Sequence, residues 1–177
     1  MPAAVPLWQA AASFAARKHK HQFRKDGATP YFSHPVRVCL TLAHVFGVND
    51  EVAICAALLH DTIEDTTTDY EDIAERFGHE VARCVAALTK NMALPETERE
   101  REYDARLASA DWRAKAVKLA DTYDNYCDIA TYPPEQRTEK RRDARDKCVR
   151  AIALVRVGES DPALVRAAGL VRALIKA

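Results

Sequence analysis

The chain has little glycine and methionine, no net charge, no long apolar run and no paired-cysteine motif, and each shortage narrows the field. With five glycines among 177 residues, 48% hydrophobic and 29% charged residues, it reads as a compact helical protein and not a disordered one. Its 26 Lys and Arg balance 26 Asp and Glu. A duplex-binding protein shows a basic excess, so no nucleic-acid partner is expected. The longest apolar run, residues 52–59, is a single helix face. It falls far short of the about 20 residues a bilayer span needs, so no membrane is expected. At the N-terminus the positive charge follows the apolar stretch, the reverse of a secretory signal. The five cysteines (Cys39, Cys55, Cys84, Cys127, Cys148) are odd in number and lack CxxC spacing. Each sits in an apolar helical register, which predicts buried, reduced thiols in the cytoplasm rather than a zinc site.

What is present repeats with a period of 3.6. Trp8, Ala11, Ala12 and Ala15 mark a first helix, and the polar stretch from Lys20 to Pro30 breaks it. Ser33 is a candidate cap, and Pro35 suits the first turn of a second helix with Val36, Leu40, Ala43 and Phe46 as its buried stripe and Gly47 as its stop. Asp50 caps a third helix through Val52, Ala53, Ala56 and Leu59, which delivers His60 and Asp61 at its end. Thr68 and Glu71 form a capping-box pattern before Ile73, Ala74 and Phe77, with Gly78 as the stop. Val81, Cys84, Val85 and Leu88 outline the next helix. The charged residues 96–106 predict a solvated helix or mobile excursion. Trp112, Ala116, Leu119 and Tyr123 share one face of a further helix. Pro134 opens a long charged helix that turns apolar from Cys148 to Val155, and Asp161 with Pro162 starts a last one through Leu164, Ala168, Val171 and Ile175. With no strand-like alternation, repeat or linker, the expectation is one all-α domain over residues 1–177, a bundle of roughly eight helices by this periodicity reading.

Four residues form a set that a divalent cation would want. His34 precedes Pro35 at a helix start, and His60 and Asp61 are adjacent at a helix end. Asp121 is flanked by Leu119 and Ala120, where a carboxylate is costly unless a cation or hydrogen bonds compensate it. Two imidazoles and two carboxylates suit Mn²⁺ or another octahedral ion, with zinc still open. Taken singly the pieces say little: a His-Asp pair arises by chance, and Asp121 could pair with Lys118 or Lys115. The order of the set raises its weight. Glu64 lies four residues after His60 and Asp65 four after Asp61. One further helical turn would stack them over the ligands, placed to accept and donate protons, unless they are simply solvated acids at a helix end. Arg24, Lys25 and Tyr31 lead into His34, which suggests a phosphate-rich anionic substrate with Tyr31 stacking on a base. Lys118 and Asn125 lie one turn to either side of Asp121, and Asn125 could orient a water or a ribose hydroxyl.

The motifs are His19-x-x-Gln22-x-Arg24-Lys25, Pro30-Tyr31-x-x-His34-Pro35, Ala57-Leu58-Leu59-His60-Asp61-x-x-Glu64-Asp65-Thr66, and Val117-Lys118-Leu119-Ala120-Asp121 with Asn125. In that order they resemble the HD-domain phosphohydrolases, and within them the hydrolase half of the RelA/SpoT alarmone enzymes. The match spans residues 11–130, with helices over 134–177 beyond it. Because the synthetase and regulatory domains are absent, the chain is most similar to the stand-alone small alarmone hydrolases. The resemblance implies Mn²⁺-dependent removal of pyrophosphate from the 3′ position of guanosine tetra- or pentaphosphate. It implies His34, His60, Asp61 and Asp121 as metal ligands and Glu64 and Asp65 as the groups that activate water and manage protons. Arg24, Lys25, Tyr31 and Asn125 would then contact the nucleotide, with Lys118 beside them.

One stretch departs from that pattern. After the last ligand the family shows Arg or Lys, Leu, His or Tyr, Asn, an apolar residue and Arg. Here the string is Thr122-Tyr123-Asp124-Asn125-Tyr126-Cys127, so two basic positions are lost and an acid is gained near the expected nucleotide pocket. That change is the best support for an alternative, an HD-type phosphatase acting on a monophosphate, an adenine alarmone or a dinucleotide phosphate. A catalytically idle nucleotide sensor is the alternative from another class, and the Glu64–Asp65 pair counts against it. Homo-oligomerisation is left open by the sequence.

Overall fold

The structure, a computed structural model, describes residues 5–155 and 161–177. Among them there is no strand beyond one antiparallel bridge between Phe23 and Pro30, which pinches the loop leading to His34. Ten α-helical segments are present, one of them a single turn. None is long and apolar enough to cross a membrane.

The molecule is organised around α3 (Glu51–Leu59), whose sequence is apolar on every side: Ala53, Cys55, Ala56, Ala57, Leu58 and Leu59 are all buried. A helix without a polar face must be surrounded. It is packed by α1 (Leu7–Lys18), α2 (Ser33–Leu40), α6 (His79–Leu88) and α8 (Trp112–Cys127). Between α3 and α6 lie the one-turn α4 (Thr62–Asp65) and α5 (Tyr70–Phe77); α7 (Glu96–Ser109) precedes α8. Then α9 (Arg137–Ala153) and α10 (Pro162–Leu174) pack on α8. One continuous core runs from Ala11 on α1 to Val171 on α10.

Several local expectations shift. The buried stripe of α2 is Val38, Leu42 and Phe46, while Leu40 is 49% exposed. The inward face is set by His34 and Val38, four apart, and a π-turn at Thr41–Val45, closed by the Phe46 amide on the Thr41 carbonyl, keeps that four-residue spacing. Ser33 is the first helical residue and not a cap, and its hydroxyl accepts from Arg37. The capping box of α5 is Asp69 with Asp72, one residue later than Thr68 and Glu71, because Thr68 is buried against the Thr66 hydroxyl. Gly78, at φ +88°, closes α5 in a conformation that side-chain-bearing residues avoid. The charged segment at 96–106 is neither wholly solvated nor an excursion. As α7 it buries Tyr103 and Leu107, and Arg106 donates to the carbonyls of Ala86 and Thr89 at the end of α6. Of the thiols, all free, Cys55, Cys84 and Cys148 are buried, whereas Cys127 is exposed because the last turn of α8 rotates it outward.

Asp50 does two jobs at the start of α3. Its Oδ1 accepts from the Ala53 amide at 2.9 Å, and its carboxylate receives both Nε and Nη2 of Arg113 on α8 at 2.7 and 3.0 Å. Burial works against the charge, but Arg113 and the amide hold Asp50 below the usual carboxylate range. Asp50→Ala is expected to lower stability by about 1–2 kcal/mol, the usual worth of an N-cap with an exposed ion pair added. Urea unfolding at neutral pH measures it, and an unchanged midpoint would refute the role.

Candidate active site

The chain turns sharply where α3 ends. His60 follows the last helical residue, Asp61 sits at the junction, and α4 resumes at Thr62, whose hydroxyl donates to the Leu59 carbonyl. The break carries two consecutive polar side chains out of an apolar helix and into a cleft. His34 arrives from the first turn of α2 and Asp121 from the middle of α8. His34, His60 and Asp121 are all buried.

The four converge through single atoms. His34 Nε2 is 3.3 Å from Asp121 Oδ1 and 3.6 Å from Asp61 Oδ2. His60 Nε2 is 3.0 Å from Asp61 Oδ2 and 3.9 Å from Asp121 Oδ1. The opposite ring nitrogens are already committed: His34 Nδ1 faces Asp124 Oδ2 at 2.7 Å, and His60 Nδ1 faces the Ala57 carbonyl at 2.8 Å. Both acceptors demand an N–H, which leaves each Nε2 as a lone pair when the rings are neutral. His60 Nε2 is buried without a hydrogen bond. Lone pairs turned on carboxylate oxygens need a cation between them. The donor atoms of His34, His60 and Asp121 lie within 4.8 Å of one another, with both second ring nitrogens tied and Asp61 Oδ2 beside the two imidazoles, an arrangement that fits a divalent metal ion. With protons as the only cations, burial works against charged imidazoles, yet the carboxylates outweigh it and push His60 up to about 9. Burial also works against the Asp61 and Asp121 carboxylates, and the imidazoles, with Lys118 for Asp121, hold them low.

The remaining predicted residues gather around this point. Glu64 lines the cleft with one carboxylate oxygen accepting from the Lys90 amide at 2.8 Å, and burial and the neighbouring Asp61 and Asp65 raise its pKa. Asp65, more open to solvent, is raised by desolvation and by Asp61. The Tyr31 hydroxyl donates to Asp61 Oδ2 at 2.7 Å and lies 3.1 Å from Asp65 Oδ2, so Tyr31 is tied to the carboxylates as well as presenting a ring. Lys118 Nζ donates to Asp121 Oδ2 at 2.9 Å, and Asn125 donates to Asp121 Oδ1. Arg24 is gripped by Asp128 through Nε and Nη2 and also reaches Asn125 Oδ1 at 3.1 Å. Lys25 lies on the same wall. The cleft is about 790 Å³, room for a nucleotide, and its far side carries Tyr132, Lys140 and Lys147.

Asp124 corrects an expectation. It does not line the cleft; it is 5% exposed and lies behind His34, with Arg37 donating through Nε at 2.6 Å and Nη2 at 3.0 Å. Burial works against its charge, but His34 and Arg37 hold it below the usual carboxylate range. The motifs place Asp124 in the nucleotide pocket and do not include Arg37 or Asp128. The spacing of Asp121, Asp124 and Asp128, three and then four apart along α8 and its C-cap, is a signal that could have joined the two later acids to the site.

The model of the HD-domain family matches residues 11–147. The chain is 44% identical over 132 residues to the guanosine-3′,5′-bis(diphosphate) 3′-pyrophosphohydrolase MESH1 of Xenopus tropicalis, covering 74% of each chain. It is 40% identical over 141 residues to the guanosine-3′,5′-bis(diphosphate) 3′-pyrophosphohydrolase of Aquifex aeolicus, covering 78% of this chain and 20% of that longer protein. Among solved structures, a metazoan ortholog of SpoT, described as hydrolysing ppGpp with a role in starvation responses, superposes with a TM-score of 0.80. That match has 30% identity over 98% of both chains.

Proposed function

The chain belongs to the HD-domain family, and from that premise we propose that it hydrolyses the 3′-pyrophosphate of guanosine tetra- and pentaphosphate, giving GDP or GTP and pyrophosphate. One observation carries the reading most: four ligand atoms converge at the floor of a cleft walled by Arg24, Lys25, Lys118, Lys140 and Lys147. A ligand with phosphate clusters on two ribose positions uses both features, whereas a monophosphate leaves the basic walls with little to hold.

His34, His60, Asp61 and Asp121 would hold the metal, Mn²⁺ in our reading. Bound there, the ion would acidify water and offset negative charge on the phosphoryl oxygens. Glu64 accepts the proton of the attacking water, and its raised pKa makes the ionised carboxylate a better acceptor. Asp65 hands a proton towards the departing 3′ oxygen, and Tyr31 holds Asp65 and Asp61 in register through its hydroxyl. Lys118 and Asn125 fix both oxygens of Asp121, while Arg24 and Lys25 take the phosphates. The five free thiols fit a cytoplasmic enzyme. Asp124 is withdrawn behind His34, so the gained acid does not face the nucleotide and weighs less for a different substrate.

Hydrolysis in ¹⁸O-labelled water tests the bond broken. Water attacks the phosphorus joined to the 3′ oxygen, that P–O bond breaks, and the 3′ oxygen leaves as the ribose hydroxyl. Label is therefore expected in pyrophosphate and not in the nucleoside diphosphate. Release of single orthophosphate, or faster turnover of a monophosphate than of guanosine tetraphosphate, would overturn the assignment.

A further inference from the structure

The two imidazoles of the site are backed differently. His60 leans on a backbone carbonyl, whereas His34 leans on a buried carboxylate, Asp124, at 2.7 Å. That carboxylate is itself clamped: Arg37 approaches it with a fork, Nε to Oδ1 at 2.6 Å and Nη2 to Oδ2 at 3.0 Å. Forked pairs of this kind fix direction as well as charge. Arg37 is anchored further by Ser33 Oγ, which accepts from Nη1 at 3.3 Å. Its Nη2 also lies 3.2 Å from Asp128 Oδ1, and the other oxygen of Asp128 receives Nε and Nη2 of Arg24 at 3.0 and 2.7 Å.

These contacts form one chain: His34, Asp124, Arg37, Asp128, Arg24. Its two carboxylates and two guanidiniums cancel, so the line carries no net charge while crossing from α2 to α8 and back to the loop before α2. Asp121 and Asp124 stand three residues apart on α8, Asp128 follows four later as its C-cap, and His34 and Arg37 are three apart on α2. Packing of those two elements brings the line together.

We infer that Asp124, clamped by Arg37, is a positioning residue that fixes the ring orientation and tautomer of the metal ligand His34, and that Asp128 extends the same chain to set Arg24 for the substrate phosphates. The inference rests on the metal reading of the site. A carboxylate accepting from Nδ1–H makes Nε2 the ligand nitrogen and increases its basicity, and loss of such a partner typically weakens metal affinity about 10- to 100-fold. The chain thus fixes His34 at one end and Arg24 at the other, each through its own carboxylate, and Asp124 touches neither metal nor phosphate.

The experiment measures Mn²⁺ binding to metal-free protein by calorimetry, next to thermal melting and steady-state kinetics. Asp124→Asn preserves shape and removes charge. It is expected to weaken Mn²⁺ affinity about 10- to 100-fold and to lower kcat at fixed Mn²⁺, with KM for the nucleotide little changed. Asp128→Asn is expected to do the reverse, raising KM with Mn²⁺ affinity near the wild-type value. A purely structural ion pair between α2 and α8 is separated by Asp124→Asn combined with Arg37→Met. Removing both partners leaves no unpaired buried charge, so melting is expected to recover. Mn²⁺ affinity is expected to stay low. Wild-type affinity in folded Asp124→Asn, or affinity that recovers together with stability in the double variant, would overturn the positioning role. Wild-type protein that binds no Mn²⁺ would overturn the metal reading itself, and the positioning role with it.

Discussion

Replacing His60 by alanine is expected to abolish Mn²⁺ binding and to lower turnover by on the order of 10³-fold or more, since a bound ion contributes several kcal/mol to the transition state. The effect should be this large because nothing nearby can substitute. His60 Nε2 is a buried nitrogen without a hydrogen bond, aimed between Asp61 and Asp121. Among the described residues the grouped ligand atoms are those of His34, His60 and Asp121, with Asp61 beside the two imidazoles, so no spare donor takes the place of His60. Truncation also leaves two carboxylates facing each other across a gap. Dialysis against a chelator should reproduce the loss in the wild type, and Mn²⁺ should restore activity there but not in the variant. Circular dichroism separates loss of the ion from loss of the fold. Full activity in a preparation shown by elemental analysis to be metal-free would refute the mechanism.

Glu64→Gln is expected to reduce kcat by about 10²- to 10⁴-fold, the usual contribution of a positioned proton-transfer group. Mn²⁺ affinity and nucleotide KM are expected to persist. Glutamine keeps the shape, and its carbonyl oxygen can still accept from the Lys90 amide that the carboxylate now engages. The pH profile gives the sign. Burial raises the folded pKa of Glu64, so the ionised base is lost as pH falls through a value above that of an ordinary glutamate. Wild-type kcat should therefore decline on the acid side earlier than an exposed glutamate would allow, and that limb should vanish in the variant. Wild-type turnover in Glu64→Gln would return this residue to the status of a solvated acid at a helix end.

Much of this was written locally. Asp50 and Asp161 announce their helices because a short acid before an apolar run can accept from the third amide on, and both do so. The all-helical class followed from the 3.6 period. Thr68 misled because Asp69 offers the same chemistry one residue later, and local pattern alone does not choose between adjacent caps. The stripe of α2 misled because its inward face is set by His34 and Val38, and the π-turn that carries this face on to Leu42 and Phe46 leaves no mark in the sequence.

The sequence by itself determined the helical class and most apolar faces, that of α2 excepted, and it singled out His34, His60, Asp61 and Asp121 because imidazoles and carboxylates in such settings are costly without a cation. Only the tertiary structure decided how the charged groups pair. His34 meets Asp124 across 90 residues, Arg24 meets Asp128 across 104, and Glu64 meets the Lys90 amide across 26. Periodicity tells which face of a helix turns inward but not which polar group on another helix it will meet. Asp124 thus reads in the sequence as a charge added to a binding pocket. Once α2 lies against α8, it is the buried partner of His34.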